Sequence, residues 1–149
     1  MTQAATADSG HTPIPPLEMP RDEMAFRRQY EPMLLAQTLT TVFRPGNRLW
    51  PNWRGYRPGE MITARVIDQP GSDERGIAPQ FTPARFPIRI TSIDVMTPDA
   101  LTPAAFIGSS PDVQDVATLL AHLVEIYEQP LSAFGNVLTR ICFTYRKIA

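Results

Sequence analysis

The chain has 149 residues, 43% of them hydrophobic, and a formal net charge of -1. That is material for one domain with a single core, and too little charge for the whole protein to act as a polyelectrolyte partner of nucleic acid. One cysteine, Cys142, excludes an internal disulfide and a cysteine-rich zinc site; in an apolar stretch it reads as a buried thiol behaving as a small hydrophobe.

Residues 1–20 are rich in Ala, Thr and Pro and have little to bury, so a disordered or loosely packed tail is expected, followed by a single domain over residues 21–149. The start of the chain lacks the basic residues and apolar core of a secretory signal, and no apolar run approaches the ~18–20 residues that span a bilayer. The expected location is therefore the cytoplasm, with no membrane partner. His11 and His122 are far apart and support no metal centre, and no cofactor is implied.

Residues 24–28 form a short candidate strand, and residues 30–37 (YEPMLLAQ) a short helix with Pro32 in its first turn, where a missing N–H does no harm. Residues 39–44 (LTTVFR) are β-branched and aromatic, and residues 60–68 (EMITARVID) place Ile62, Ala64 and Val66 on one face; both read as strands. Residues 69–84 read as a long polar loop, of a length that is usually functional or mobile. Residues 85–96 form a third strand, which Pro87 assigns to an edge, and residues 97–106 hold a helical turn. A helix is predicted over residues 112–128, capped by Ser110 with Pro111 at its first position. Its apolar stripe is Val113, Val116, Leu119, Leu120, Leu123 and Ile126. Residues 137–146 form the last strand. About five strands with two or three helices, too few to alternate, predict an α+β fold: a small, mostly antiparallel barrel with helices packed on it.

The stretch over residues 43–59, FRPGNRLWPNWRGYRPG, stands apart from this pattern. It carries Arg44, Arg48, Arg54 and Arg57 with Trp50, Trp53 and Tyr56 between them, and no acid. Proline and glycine at this density argue against helix or continuous strand. Aromatics and guanidinium groups on a loop can stack on bases and pair with phosphate; the plainer alternative folds the tryptophans over the core and turns the arginines to water. Residues 32–59 hold four arginines and no acid, whereas residues 90–139 hold six acids and no Lys or Arg. Such a division predicts a surface of two signs, one side of which attracts an anion.

The segment MAFRRQYEPMLLAQTLTTVFR, then Gly59-Glu60-Met61-Ile62, then LTPAAFIGSSPDVQDVATLLAHLVEIY and LTRICFTYRKI, resembles in order the ASCH domains, relatives of the PUA RNA-binding fold. The resemblance implies a PUA-like barrel with a cleft between barrel and helices for RNA or a modified nucleoside, and it puts Arg44 at the family's strand-ending arginine. Some members are hydrolases, among them acetylcytidine amidohydrolases that use a lysine, a threonine and a glutamate. Those positions fall here on Leu39, on Val42 and near Ser109, so that chemistry does not carry over to these residues.

Three functional readings follow. The first is a module that binds RNA or a nucleotide-like molecule through Arg44, Arg48, Trp50, Trp53, Arg54, Tyr56 and Arg57. The second is a hydrolase acting on RNA or a modified nucleoside at a different site, with Arg44, Tyr56, Ser109 and Ser110 available for polar work. The third is an interaction protein using the acidic helix and the proline-rich tail.

Overall fold

The structure, a computed structural model, describes residues 19–146; most of the expected tail lies outside the described residues. It is an α+β domain built on a five-stranded sheet in the order β1-β3-β4-β5-β2. The strands are β1 (Glu23–Phe26), β2 (Thr41–Pro45), β3 (Met61–Gln69), β4 (Gln80–Met96) and β5 (Leu138–Tyr145). Two α-helices, α1 (Glu31–Ala36) and α2 (Val116–Tyr127), flank it. The β1–β3 pair is parallel and the other three are antiparallel.

Strand β3 alternates buried and half-buried residues along Ile62, Ala64 and Val66, as its pattern predicts. Strand β4 is long enough to serve two partners in succession. Its first part, through Arg89, pairs with β3, and from Ile88 onward it pairs with β5. The register shift between Ile90 and Ser92 bends it there. The bend curls the sheet so that its two edge strands, β1 and β2, approach each other. They do not pair, so no closed barrel forms among the described residues. Instead the Arg44 guanidinium on β2 donates to the Ala25 carbonyl on β1 at 2.9 Å, bridging the gap with a side chain.

Two apolar clusters sit on the two faces of β2, whose adjacent residues point in opposite directions. Val42 joins Met24, Phe26, Leu34, Ile62, Val66, Ile90 and Phe143 inside the curl. Phe43 joins Phe106, Leu119, Leu123 and Leu138 beneath α2.

Several predicted details are corrected. Helix α2 starts at Val116, because Asp115 and Thr118 form a capping box, with Thr118 N–H donating to Asp115 Oδ1 at 2.8 Å. Ser110 and Asp112 therefore belong to the preceding turn, although Val113 is still buried. The loop before β4 ends sooner than predicted, at Pro79, since residues 80–84 already belong to the strand. Pro87 lies in a central strand, not an edge. Its carbonyl accepts from Arg146 N–H at 3.1 Å, and the β4–β5 ladder begins only at Ile88, so its missing N–H falls beyond the paired region on that side. Cys142 is partly exposed, 3.6 Å from the Thr41 hydroxyl.

Candidate functional site

The gap between the sheet edges opens into a cavity of about 500 Å³, bounded by β1, β2, α2, the Arg/Trp loop and the loop over residues 70–79. That volume lies within the range of small-molecule sites.

The Arg/Trp loop is held by its own backbone and by β5. Buried Thr139 donates its hydroxyl to Gly46 O at 2.7 Å and accepts from Arg48 N–H at 2.9 Å. Tyr56 N–H donates to Arg48 O at 2.8 Å and Trp50 N–H to Tyr56 O at 3.0 Å, closing residues 48–56 into a loop. Gly55 is needed in that closure, because a Cβ there would lie 2.7–2.8 Å from the backbone of Asn52 and Leu49. The tryptophans do not fold over the core: Trp50 is 42% and Trp53 49% exposed, each beside guanidinium groups. Arg21 lies 4.3 Å and Arg57 5.3 Å from the Trp50 ring centre; Arg54 lies 4.2 Å and Arg48 5.0 Å from that of Trp53.

Six of the seven predicted site residues line the cavity, and Arg57 is outside it. They divide sharply by partner. Arg54 is ion-paired with Asp73 at 2.7 Å. Tyr56 is buried and donates to Glu23 O at 2.6 Å, which satisfies the free edge of β1 and accounts for its position structurally; burial pushes its phenol up to about 12. Arg44 bonds only carbonyl groups, those of Phe43 and Ala25, and faces the Phe26 ring at 5.4 Å. Arg48 is 3% exposed; its Nε donates to Pro45 O at 3.0 Å, and its second terminal nitrogen has no hydrogen-bond partner among the described residues. Arg21 and Arg65 also leave one buried nitrogen unpaired, but each has a carboxylate: Glu60 at 2.7 Å for Arg21 and Glu23 at 3.1 Å for Arg65. Neither Arg44 nor Arg48 is paired with a carboxylate among the described residues. Burial lowers the pKa of Arg48, while the neighbouring Tyr127 opposes that shift. Burial would raise the Tyr127 phenol, yet the charges of Arg48 and Arg44 outweigh it and hold Tyr127 below the ordinary tyrosine value.

On the opposite wall sequence reasoning found Ser109 and Ser110 but missed Tyr30, Asp112 and His122. Tyr30 O–H lies 2.9 Å from Asp112 Oδ2 and 2.8 Å from His122 Nε2, and the Ser110 hydroxyl donates to Asp112 Oδ1. Gly108 brings this wall onto β2: its carbonyl accepts from Thr40 and Thr41 N–H at 2.9 and 3.1 Å, and a Cβ there would meet the Thr40 hydroxyl. Burial, opposed by Asp112 and reinforced by Arg44, holds His122 below its ordinary 6.5, so the imidazole is neutral at neutral pH. Burial and the bond to Asp112 push Tyr30 up to about 12. Burial would raise Asp112, but bonds from Ser110 and Tyr30 and the nearby His122 lower it. One signal in the sequence marks this wall: His122 falls three residues after Leu119 and four before Ile126, a polar side chain set in the apolar stripe. Ser109 is occupied by bonds to Phe106 O and Val113 O at 2.6 and 2.7 Å.

No protein family, curated protein or solved structure matches the chain.

The loop over residues 70–79 is fastened across the cavity. Ser72 donates to Glu128, Gln129 donates to Glu74 at 2.8 Å, and Asp73 holds Arg54. Among the described residues, no group of three or more His, Cys, Asp or Glu side chains could hold a metal ion, and no helix is long and apolar enough to cross a membrane.

Proposed function

We propose that this protein binds RNA or a nucleotide-like molecule in the cleft between its sheet edges. One observation carries the reading: Arg44 and Arg48 line the cavity without a carboxylate, beneath two exposed tryptophans at its mouth. Guanidinium groups without acidic partners favour an anion, and partly exposed indoles favour contact with a flat ring. The ASCH-like, PUA-related assignment belongs to this proposal. It is supported by Arg44 lying one residue before the end of β2, by Gly59-Glu60 preceding β3, and by a cleft beside the curled sheet. A cytoplasmic location is part of the same reading.

The test is a titration of the protein with labelled single-stranded RNA and with mononucleotides at two salt concentrations. Binding that weakens with salt, and that drops by about 1–3 kcal/mol in Trp53→Ala, is the expected result. Absence of binding to every one of these ligands rejects the reading.

A second reading, hydrolysis of RNA or a modified nucleoside, is favoured by the His122–Tyr30–Asp112 contact, because a neutral imidazole at a cavity wall can accept a proton. Leu39 and Val42 are buried in the core and supply neither amine nor hydroxyl. Shortened RNA or altered nucleoside recovered after incubation, and lost in His122→Gln, would establish this activity; unchanged ligand rejects it.

A further inference from the structure

We propose that Arg48 receives a terminal phosphate group, so that the cleft takes a phosphomonoester: a free nucleotide or the phosphorylated end of a strand. The inference rests on the nucleotide reading above and narrows it to one chemical group at one residue.

Arg48 is the reason. A buried cation is ordinarily paired, because desolvation of an uncompensated charge costs far more than a fold gains from it. Here the guanidinium is 3% exposed, with its Nε held by Pro45 O at 3.0 Å and one terminal nitrogen unpaired. Its remaining neighbours are the Trp53 ring at 5.0 Å and Tyr127, whose ring centre lies at 5.9 Å and whose hydroxyl also interacts with the guanidinium; they offset part of its charge, and neither is a carboxylate. Arg44 adds a second positive charge close enough to disfavour the first, which depresses the pKa of Arg48 after burial has done so. Two neighbouring guanidinium groups, neither of them ion-paired among the described residues, are best neutralised by a group carrying more than one charge. A phosphomonoester bears about −1.5 to −2 at neutral pH and presents three acceptor oxygens to a guanidinium fork.

Depth decides between a chain end and a chain interior. An internal phosphodiester has chain leaving on both sides and needs an open groove. Arg48 is buried among the residues that line the cavity, with the Trp53 ring centre at 5.0 Å and that of Tyr127 at 5.9 Å, a setting that suits the end of a chain better than a chain passing through.

Calorimetric titration of the full chain tests this, using uridine, uridine 5′-monophosphate, and short oligouridylates with and without a terminal phosphate. The phosphorylated member of at least one pair is expected to bind about 10- to 100-fold more tightly, the gap produced by hydrogen bonds to a charged group. Arg48→Gln is expected to close that gap and Arg48→Lys to keep part of it. A gap in the mononucleotide pair alone identifies a free nucleotide, and one in the strand pair identifies a strand end. Equal binding of the phosphorylated and unphosphorylated members in both pairs overturns the terminal phosphate while leaving RNA binding intact. A gap that survives in Arg48→Gln overturns the assignment to Arg48. No binding in any arm overturns both readings. Should Arg48→Gln fail to fold, the comparison of ligands on the unaltered protein still decides whether a terminal phosphate is recognised, and Arg48→Lys whether Arg48 receives it.

Discussion

Strand β1 meets arginines in two ways. On one side, Glu23 accepts from Arg65 and Arg85, each at 3.1 Å, and joins β1 to β3 and β4 through paired charge. On the other, Arg44 reaches the backbone of β1 with no carboxylate, and Arg48 is buried nearby in the same cavity. Composition cannot separate the two groups, since both are arginines on or beside strands. What separates them is compensation. The Glu23 cluster gives both of its arginines one shared carboxylate and holds the sheet; the Arg44–Arg48 group has no carboxylate in ion-pair contact and leaves positive charge lining a cavity, which a fold retains at a cost to stability.

The largest effect should come from breaking the Glu23 cluster. Glu23→Gln leaves the mostly buried Arg65 without its counter-charge, and we expect a loss of about 3 kcal/mol in urea denaturation. A loss below about 1 kcal/mol would place that cluster with exposed ion pairs and weaken the contrast.

The uncompensated group should respond with the opposite sign. Arg48→Met removes a buried cation and fills its volume, so stability is expected to rise by about 1 kcal/mol. Tyrosine titration followed in the ultraviolet reports on the same change. In the unaltered protein, Tyr127 should ionise below 10.0, ahead of Tyr30, Tyr56 and Tyr145, which are pushed up to about 12. In Arg48→Met the low-pH step should move upward, because the largest charge opposing the effect of burial on Tyr127 is gone. Marked destabilisation with an unmoved tyrosine step would show that Arg48 is a structural residue.

The smallest effect belongs to the polar wall. Burial holds His122 below 6.5, against Asp112 and Glu125 and with Arg44 and Arg27, so the unfolded chain binds this proton more readily than the folded one. Stability is therefore complete above that value and falls as pH drops below it, by at most about 1.4 kcal/mol per pH unit for one proton. The lowered pKa of Asp112 adds a loss of the same sign only in stronger acid. His122→Gln should flatten the dependence just below pH 6.5; an unchanged slope would assign it to other groups.

Much of the fold was legible. Alternation marked β3, helical spacing marked α2, and the density of Pro and Gly marked the Arg/Trp loop, because local sterics and burial on one face act over a few residues. Boundaries failed where a competing local bond won. Asp115 displaced Ser110 as the cap because Thr118 completes its box, and Pro87 entered a central strand because its neighbour on that side begins one residue later.

The site was legible only in part. Six of its residues were found from composition, but which of them bind structure and which face the cavity was not visible in the chain. Arg48 and Arg54 are six positions apart in one loop. Arg54 is paired by Asp73, 19 residues on, while Arg48 is buried through Thr139, 91 residues away. Tyr30, Asp112 and His122 come together from α1's approach, a turn and α2, across separations of 82 and 92 residues. The amino-acid sequence by itself determined the elements, the apolar faces and the placing of guanidinium and indole groups on one loop. Only the curl of β4, which brings two unpaired sheet edges together and leaves Arg44 and Arg48 without an ion pair among the described residues, decided where positive charge would line a cavity. Local preference is set by near neighbours, whereas compensation of charge depends on partners that only the folded chain brings within reach.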